Sequence, residues 1–101
     1  MTFLTRFAPS PTGYLHVGNI RTALFNFLLS KKNKGKFLLR IDDTDLERSK
    51  QIYEDEIKRD LEWLGIEWDF CERQSTRFDR YQEVLENLKS KNKIYPCYET
   101  K

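Results

Sequence analysis

The chain has 101 residues, with 39% hydrophobic, 14% aromatic and 34% charged positions, a mix that suits one small packed domain and excludes a disordered chain. Its 18 Lys and Arg against 16 Asp and Glu leave a net charge of +2, too small an excess to argue for nucleic-acid binding unless the cations cluster. Two cysteines, Cys71 and Cys97, exclude a disulfide framework, and with neither a signal peptide nor an apolar run of ~20 residues the expectation is a soluble, cytoplasmic protein without membrane contact.

Thr2–Ala8 is β-prone and stops at Pro9, which predicts a short buried strand. Pro9, Pro11 and Gly13 keep the next stretch out of a helix. From about Val17 to Asn33 a helix is predicted, because Ile20, Ala23, Leu24, Phe27 and Leu28 recur on one apolar face. Lys31, Lys32 and Lys34 suit its negative end, and Gly35 is a plausible stop. Lys36–Ile41 reads as a second strand, completing a parallel βαβ unit. The acidic loop Asp42–Asp45 follows. A second helix spans roughly Ser49–Leu64, with Tyr53, Ile57, Leu61 and Leu64 on one face. The run from Gly65 to Phe70 breaks it. A third helix spans roughly Arg77–Lys91, with Phe78, Tyr81, Leu85 and Leu88 in register, and Ile94–Glu99 reads as extended. Two clear parallel strands leave edges unpaired, so the chain reads as the start of a larger α/β domain.

In open α/β sheets ligands bind beyond the carboxyl ends of the strands, where both distinctive loops, residues 9–15 and 42–45, are expected. The first feeds a helix whose free N–H groups and dipole favour an anion. Gly18 lets a ligand approach the backbone, and His16 and Asn19 bracket the site with donors. A donor aimed at a phosphate whose charge grows in a transition state is worth on the order of 10²–10³ in rate. The same residues also describe an ordinary capped helix start, so spacing alone stops at an anion site.

The run Pro11–Asn19, PTGYLHVGN, resembles the nucleotide-binding signature of class I aminoacyl-tRNA synthetases. The longer runs RFAPSPTGYLHVGNIRTALFN and GKFLLRIDDTDLERS resemble glutamyl-tRNA synthetases, and the likeness covers essentially the whole chain. The resemblance implies the first half of a Rossmann-type nucleotide-binding fold over residues 1–72. Residues 73–101 would then be the approach to an inserted domain that holds the tRNA acceptor end. It implies a glutamate–tRNA ligase that makes glutamyl-adenylate from glutamate and ATP, with Mg²⁺, and passes glutamate to the 3′ end of tRNA(Glu). The longer enzyme would be a monomer. His16 is then the catalytic donor, with Thr12, Gly18 and Asn19 completing the nucleotide site. Arg6 takes the side-chain carboxylate of glutamate with a planar fork suited to it, Ala8 and Ser10 lie alongside, and Asp42 pairs with the α-ammonium. Thr44, Asp45 and Arg48 fall where the family holds the terminal adenosine of tRNA.

Two departures stand out. Asp42 replaces the Glu usual in glutamyl enzymes, one methylene shorter and like the glutaminyl relatives, although the proline loop keeps the glutamyl pattern. Cys97–Glu99 has Glu where some bacterial members have the second Cys of a zinc half-site, so no zinc is expected, and Cys71 reads as a packing residue. The acidic loop also suits Mg²⁺ or a cap for the second helix. Lys89, Lys91 and Lys93 read as a solvated helix end. The lysine-rich loop of the family and its anticodon-binding domain are not in these 101 residues, so the chain is expected to carry half an active site and to be inactive alone. Two alternatives are a relative that glutamylates queuosine in tRNA(Asp), which departs from DDTDLERS in the second loop, and a non-catalytic nucleotide- or tRNA-binding module.

Overall fold

Phe37, Leu39 and Ile41 are fully buried while the residues between them are not, the period-two signature of a strand with one apolar face. In the computed structural model, which describes residues 2–99, this strand, β2 (Lys36–Ile41), lies at the centre of a three-stranded parallel sheet. On one side it pairs with β1 (Leu4–Phe7), with Arg6 opposite Leu38. On the other it pairs with β3 (Phe70–Arg73), with Arg40 opposite Glu72. The connections are α1 (Val17–Lys32) and α2 (Gln51–Trp63); a single 3₁₀ turn (Ser75–Arg77) and α3 (Phe78–Ser90) follow β3.

One apolar cluster holds these elements together: Phe7 of β1, the three buried residues of β2, Ala23 of α1, Ile57 and Leu61 of α2, and Ile66. Each large side chain buried there contributes roughly 1.5–3 kcal/mol. Truncating Leu39, fully buried at the centre, to Ala would cost about 2–5 kcal/mol. Ala23 allows α1 close to the sheet, and Phe27 meets Phe37 edge-on with ring centroids 5.8 Å apart. The cluster draws on one face of β1 and β2. The opposite face is more open, with Leu4, Arg6, Phe70 and Glu72 exposed and Leu38 and Arg40 half-buried.

Two glycines serve different turns. Gly65 has φ +76° and ends α2, where Ile66 N–H donates to Leu61 O at 2.9 Å. The left-handed residue after α1 is Lys34, φ 52°, rather than Gly35. Gly35 is needed for space: a Cβ there would lie 2.3 Å from Phe3 O, the carbonyl that accepts the Lys36 N–H at 2.8 Å beside the β1–β2 ladder.

Several expectations need correction. The third strand is Phe70–Arg73, inside and just after the run read only as a helix break, while Ile94–Glu99 forms no strand. β3 has no apolar alternation and all four residues are exposed. What precedes it starts the pairing: Asp69 N–H donates to Phe37 O at 2.9 Å, and Phe37 N–H donates to Asp69 Oδ2 at 2.8 Å. Cys71 is exposed on this strand and is not a packing residue. On α1 the expected stripe is rotated: Ala23 and Ser30 are buried, whereas Leu24 and Leu28 are exposed. α2 begins at Gln51 rather than Ser49 and leaves Leu64 exposed. No residue of α3 is fully buried.

Candidate functional site

The loop from Ala8 to His16 leaves the carboxyl end of β1 and enters α1, and it lines a cavity of about 540 Å³. Ala8, Ser10, Thr12, His16 and Asn19, five of the residues singled out in the sequence, line it together with Thr22. His16 is the N-cap of α1. Its Nδ1 accepts the Gly18 N–H at 3.0 Å, and its own backbone N–H donates to Asn19 Oδ1 at 3.2 Å. An imidazole whose Nδ1 accepts carries its proton on Nε2 in the neutral form. His16 is therefore both the capping residue and a donor: one nitrogen closes the helix, the other presents N–H. Asn19, its oxygen used by the cap, keeps its NH₂ as a second donor. Both sit at the positive end of the α1 dipole, so the helix start combines directed donors with a favourable field for an anion.

Gly18 has a steric reason beyond ligand approach. A Cβ there would come within 2.9 Å of His16 Cε1 and 3.1 Å of Nδ1, so the imidazole occupies the space that the missing side chain leaves. Gly18 itself is exposed and does not line the cavity.

The acidic loop lies against the first loop. Asp42 N–H donates to Pro9 O at 2.9 Å and Lys50 N–H to Pro11 O at 3.1 Å, while Tyr14 meets Tyr53 edge-on at 5.1 Å. Thr44 Oγ1 donates to Asp42 Oδ1 at 3.4 Å. Asp45 and Arg48 pair with each other, Nε to Oδ2 at 2.9 Å, and Asp45 Oδ1 also accepts the Arg48 N–H at 3.1 Å. That arrangement caps a turn, and an exposed pair of this kind costs only about 0–1 kcal/mol to open. Arg6 stands apart from the first cavity: it projects from the other face of β1 into a cavity of about 270 Å³ shared with Arg40, Glu72 and Arg77. Ala8, Ser10, Thr12, His16 and Asn19 thus share one cavity, Asp42 touches its rim through backbone, and Arg6 lies in a neighbouring one.

Two polar contacts behind the acidic loop were not legible locally. Glu54 of α2, 3% exposed, takes Arg73 Nε at 2.7 Å and Nη2 at 2.5 Å, and also accepts from Gln51 at 3.0 Å. Lys58 adds a 3.4 Å contact. Mainly through the Arg73 hydrogen bonds, and against the cost of burial, the Glu54 carboxyl is pulled down to about 2 from its ordinary 4.5, and the Arg73 guanidinium is pushed up in return. Beside them Asp43 accepts from both the backbone and the hydroxyl of Ser75. Among the described residues no three His, Cys, Asp or Glu side chains converge as a metal site, and no helix is long and apolar enough to cross a membrane.

Comparison with known proteins identifies the family. The family described as "tRNA synthetases class I (E and Q), catalytic domain" matches residues 2–101. Glutamate–tRNA ligase 1 of Ehrlichia ruminantium (strain Welgevonden) is 60% identical over 101 residues, all of this chain and 23% of that relative. Glutamate–tRNA ligase 1 of Maricaulis maris (strain MCS10) is 64% identical over 95 residues, 94% of this chain and 21% of the relative. The crystal structure of a glutamate tRNA ligase from Elizabethkingia meningosepticum CCUG26117 in complex with its amino acid superposes with a TM-score of 0.83 at 41% identity, covering 89% of this chain and 20% of that one. The chain spans less than a quarter of the length of these relatives.

Proposed function

The chain belongs to the catalytic-domain family of class I tRNA synthetases for glutamate and glutamine, and on that premise we propose that it forms the nucleotide-binding and part of the glutamate-binding surface of a glutamate–tRNA ligase. Residues 1–72 serve as the first half of the catalytic domain, and residues 73–101 lead toward the part that holds the tRNA acceptor end. Its partners are ATP, glutamate and tRNA(Glu), and it works in the cytoplasm, as a monomer in the longer enzyme.

The observation that supports this best is the start of α1, where His16 caps with Nδ1 and keeps Nε2–H for a ligand, at the wall of a cavity it shares with Thr12 and Asn19. In the first step a carboxylate oxygen of glutamate attacks the α-phosphorus of ATP. The bond to the leaving oxygen breaks, and pyrophosphate departs with the electron pair. The nucleophile carries no proton, so the protein's work is positioning and charge stabilisation rather than acid–base chemistry. His16 Nε2–H and Asn19 Nδ2 donate to phosphate oxygens as negative charge shifts onto the leaving group, with Thr12 alongside and Gly18 beneath the nucleoside. Arg6 takes the side-chain carboxylate of glutamate, Ala8 and Ser10 border it, and Asp42, with Oδ2 still free of the Thr44 bond, takes the ammonium. In the second step the 3′-terminal hydroxyl of tRNA attacks the acyl carbon and AMP leaves, with Thr44, Asp45 and Arg48 near the terminal adenosine. Mg²⁺ would come with the ATP phosphates and screen their charge.

The test is pyrophosphate exchange into ATP by the full-length polypeptide that carries this chain, with glutamate or glutamine and tRNA(Glu). Exchange that depends on glutamate supports the reading. Exchange with glutamine alone, or none with either amino acid, would overturn it.

A further inference from the structure

The two neighbouring carboxylates of the acidic loop are used differently. Asp42 follows β2 and is anchored by its backbone to the proline loop, Asp42 N–H to Pro9 O at 2.9 Å, and among the described residues its side chain has only the long Thr44 contact. Asp43 is fully engaged. Its Oδ1 accepts the Ser75 N–H at 2.8 Å and its Oδ2 accepts the Ser75 hydroxyl at 2.5 Å. One residue before Ser75 and two before Asp43, Gln74 N–H donates to Ile41 O at 3.0 Å. Three hydrogen bonds therefore join residues 41–43 to 74–75, although 32 positions separate Asp43 from Ser75. The far side of this junction is itself fixed, because Arg73 is gripped by the buried Glu54 of α2.

We propose that Asp43 is a positioning residue: its two-point grip on Ser75 sets the place and direction of the Asp42 carboxylate and, through it, of the substrate's ammonium group. The inference rests on the glutamate-binding reading of Asp42. The physical reason is the shape of the loop. With Asp42 one methylene shorter than Glu, its reach cannot absorb an error in backbone position, so the backbone must be held from both sides. Pro9 holds it from one side and Ser75 from the other. A displacement of about 1 Å in a positioning contact is enough to cost on the order of 10²-fold. The same junction joins the amino-acid site to the segment that carries α3, so a shift of residues 73–77 is transmitted to Asp42.

The test uses the full-length polypeptide with Asp43→Ala, Asp43→Asn and Ser75→Ala. It measures KM for glutamate and for ATP in pyrophosphate exchange, and amide hydrogen exchange across residues 41–45. Asp43→Ala is expected to raise KM for glutamate by about tenfold or more while KM for ATP moves less than about twofold. Asp43→Asn should recover most of the loss, since its oxygen still accepts the Ser75 N–H and its NH₂ reaches the hydroxyl. Amides of Asp42 and Thr44 should exchange faster in Asp43→Ala with those of β2 unchanged, and Ser75→Ala should follow the same pattern more weakly. Equal rises in both KM values, no rescue by Asn, or loosened loop amides with an unchanged glutamate KM would each overturn the proposal. If the wild type shows no exchange activity, the ligase reading fails on its own; unchanged loop amides in Asp43→Ala would then also remove Asp43 as the loop's anchor.

Discussion

Replacing Glu54 with Gln keeps the shape of the side chain and removes its charge. The carboxyl is 4% exposed and bound in two places by Arg73, and it titrates at about 2 instead of its ordinary 4.5. At ~1.36 kcal/mol per unit that difference corresponds to about 3 kcal/mol of folding stability at neutral pH. Arg73 is 42% exposed, so water screens its outer edge and about 2 kcal/mol is the working figure. Because the folded value lies below the unfolded one, this stabilisation is fully present above 4.5 and disappears as pH falls from there through 2. Urea denaturation followed by circular dichroism at pH 7, 4.5, 3 and 2 reads the effect. With a slope of ~1.5 kcal/mol/M, Glu54→Gln should lower the midpoint by somewhat more than about 1 M at pH 7. The gap between wild type and variant should close toward pH 2. A gap that stays constant from pH 7 to 2, or a midpoint shift under about 0.3 M at pH 7, would show that the Arg73 pair does not carry this stability.

Other outcomes follow from the same geometry. Gly35→Ala puts a methyl 2.3 Å from Phe3 O and must move backbone at the β1–β2 junction, so a loss of about 2 kcal/mol and a Tm lower by roughly 10 °C are expected by calorimetry. His16→Asn keeps a good helix cap but removes the Nε2–H donor; Tm should stay within ~2 °C while the exchange rate falls by about 10²-fold. Gly18→Ala crowds the His16 ring and should cost about 1 kcal/mol by loss of the cap, read as a Tm shift with an altered His16 ring signal in NMR.

Where the sequence carried strong local signals, the fold could be read directly. Three backbone breakers, Pro9, Pro11 and Gly13, followed by helical periodicity placed the start of α1 at Val17, where it lies. Gly35 and the acidic loop bounded β2 to the residue. β3 escaped because Phe70–Arg73 has no apolar alternation; its pairing depends on Asp69 meeting Phe37, 32 positions away. The α1 stripe is rotated from its apolar spacing: Leu24 and Leu28 are exposed, whereas Ser30, a polar residue, is buried and satisfies its hydroxyl on Phe27 O at 2.7 Å. At the candidate site Ala8, Ser10, Thr12, His16 and Asn19 line one cavity, as their proximity in sequence implies, whereas Gly18 does not line it and Arg6 lies in a neighbouring one. The anchors behind it did not show, because Glu54 with Arg73 and Asp43 with Ser75 are ordinary charged and polar residues until the chain folds.

The proposed nucleotide site lies at the start of α1. Amide hydrogen exchange of the full-length polypeptide, with and without saturating ATP and Mg²⁺, tests it directly. Slowed exchange across residues 12–19, lost in His16→Asn, is the expected result. Protection elsewhere with residues 12–19 unchanged would contradict it.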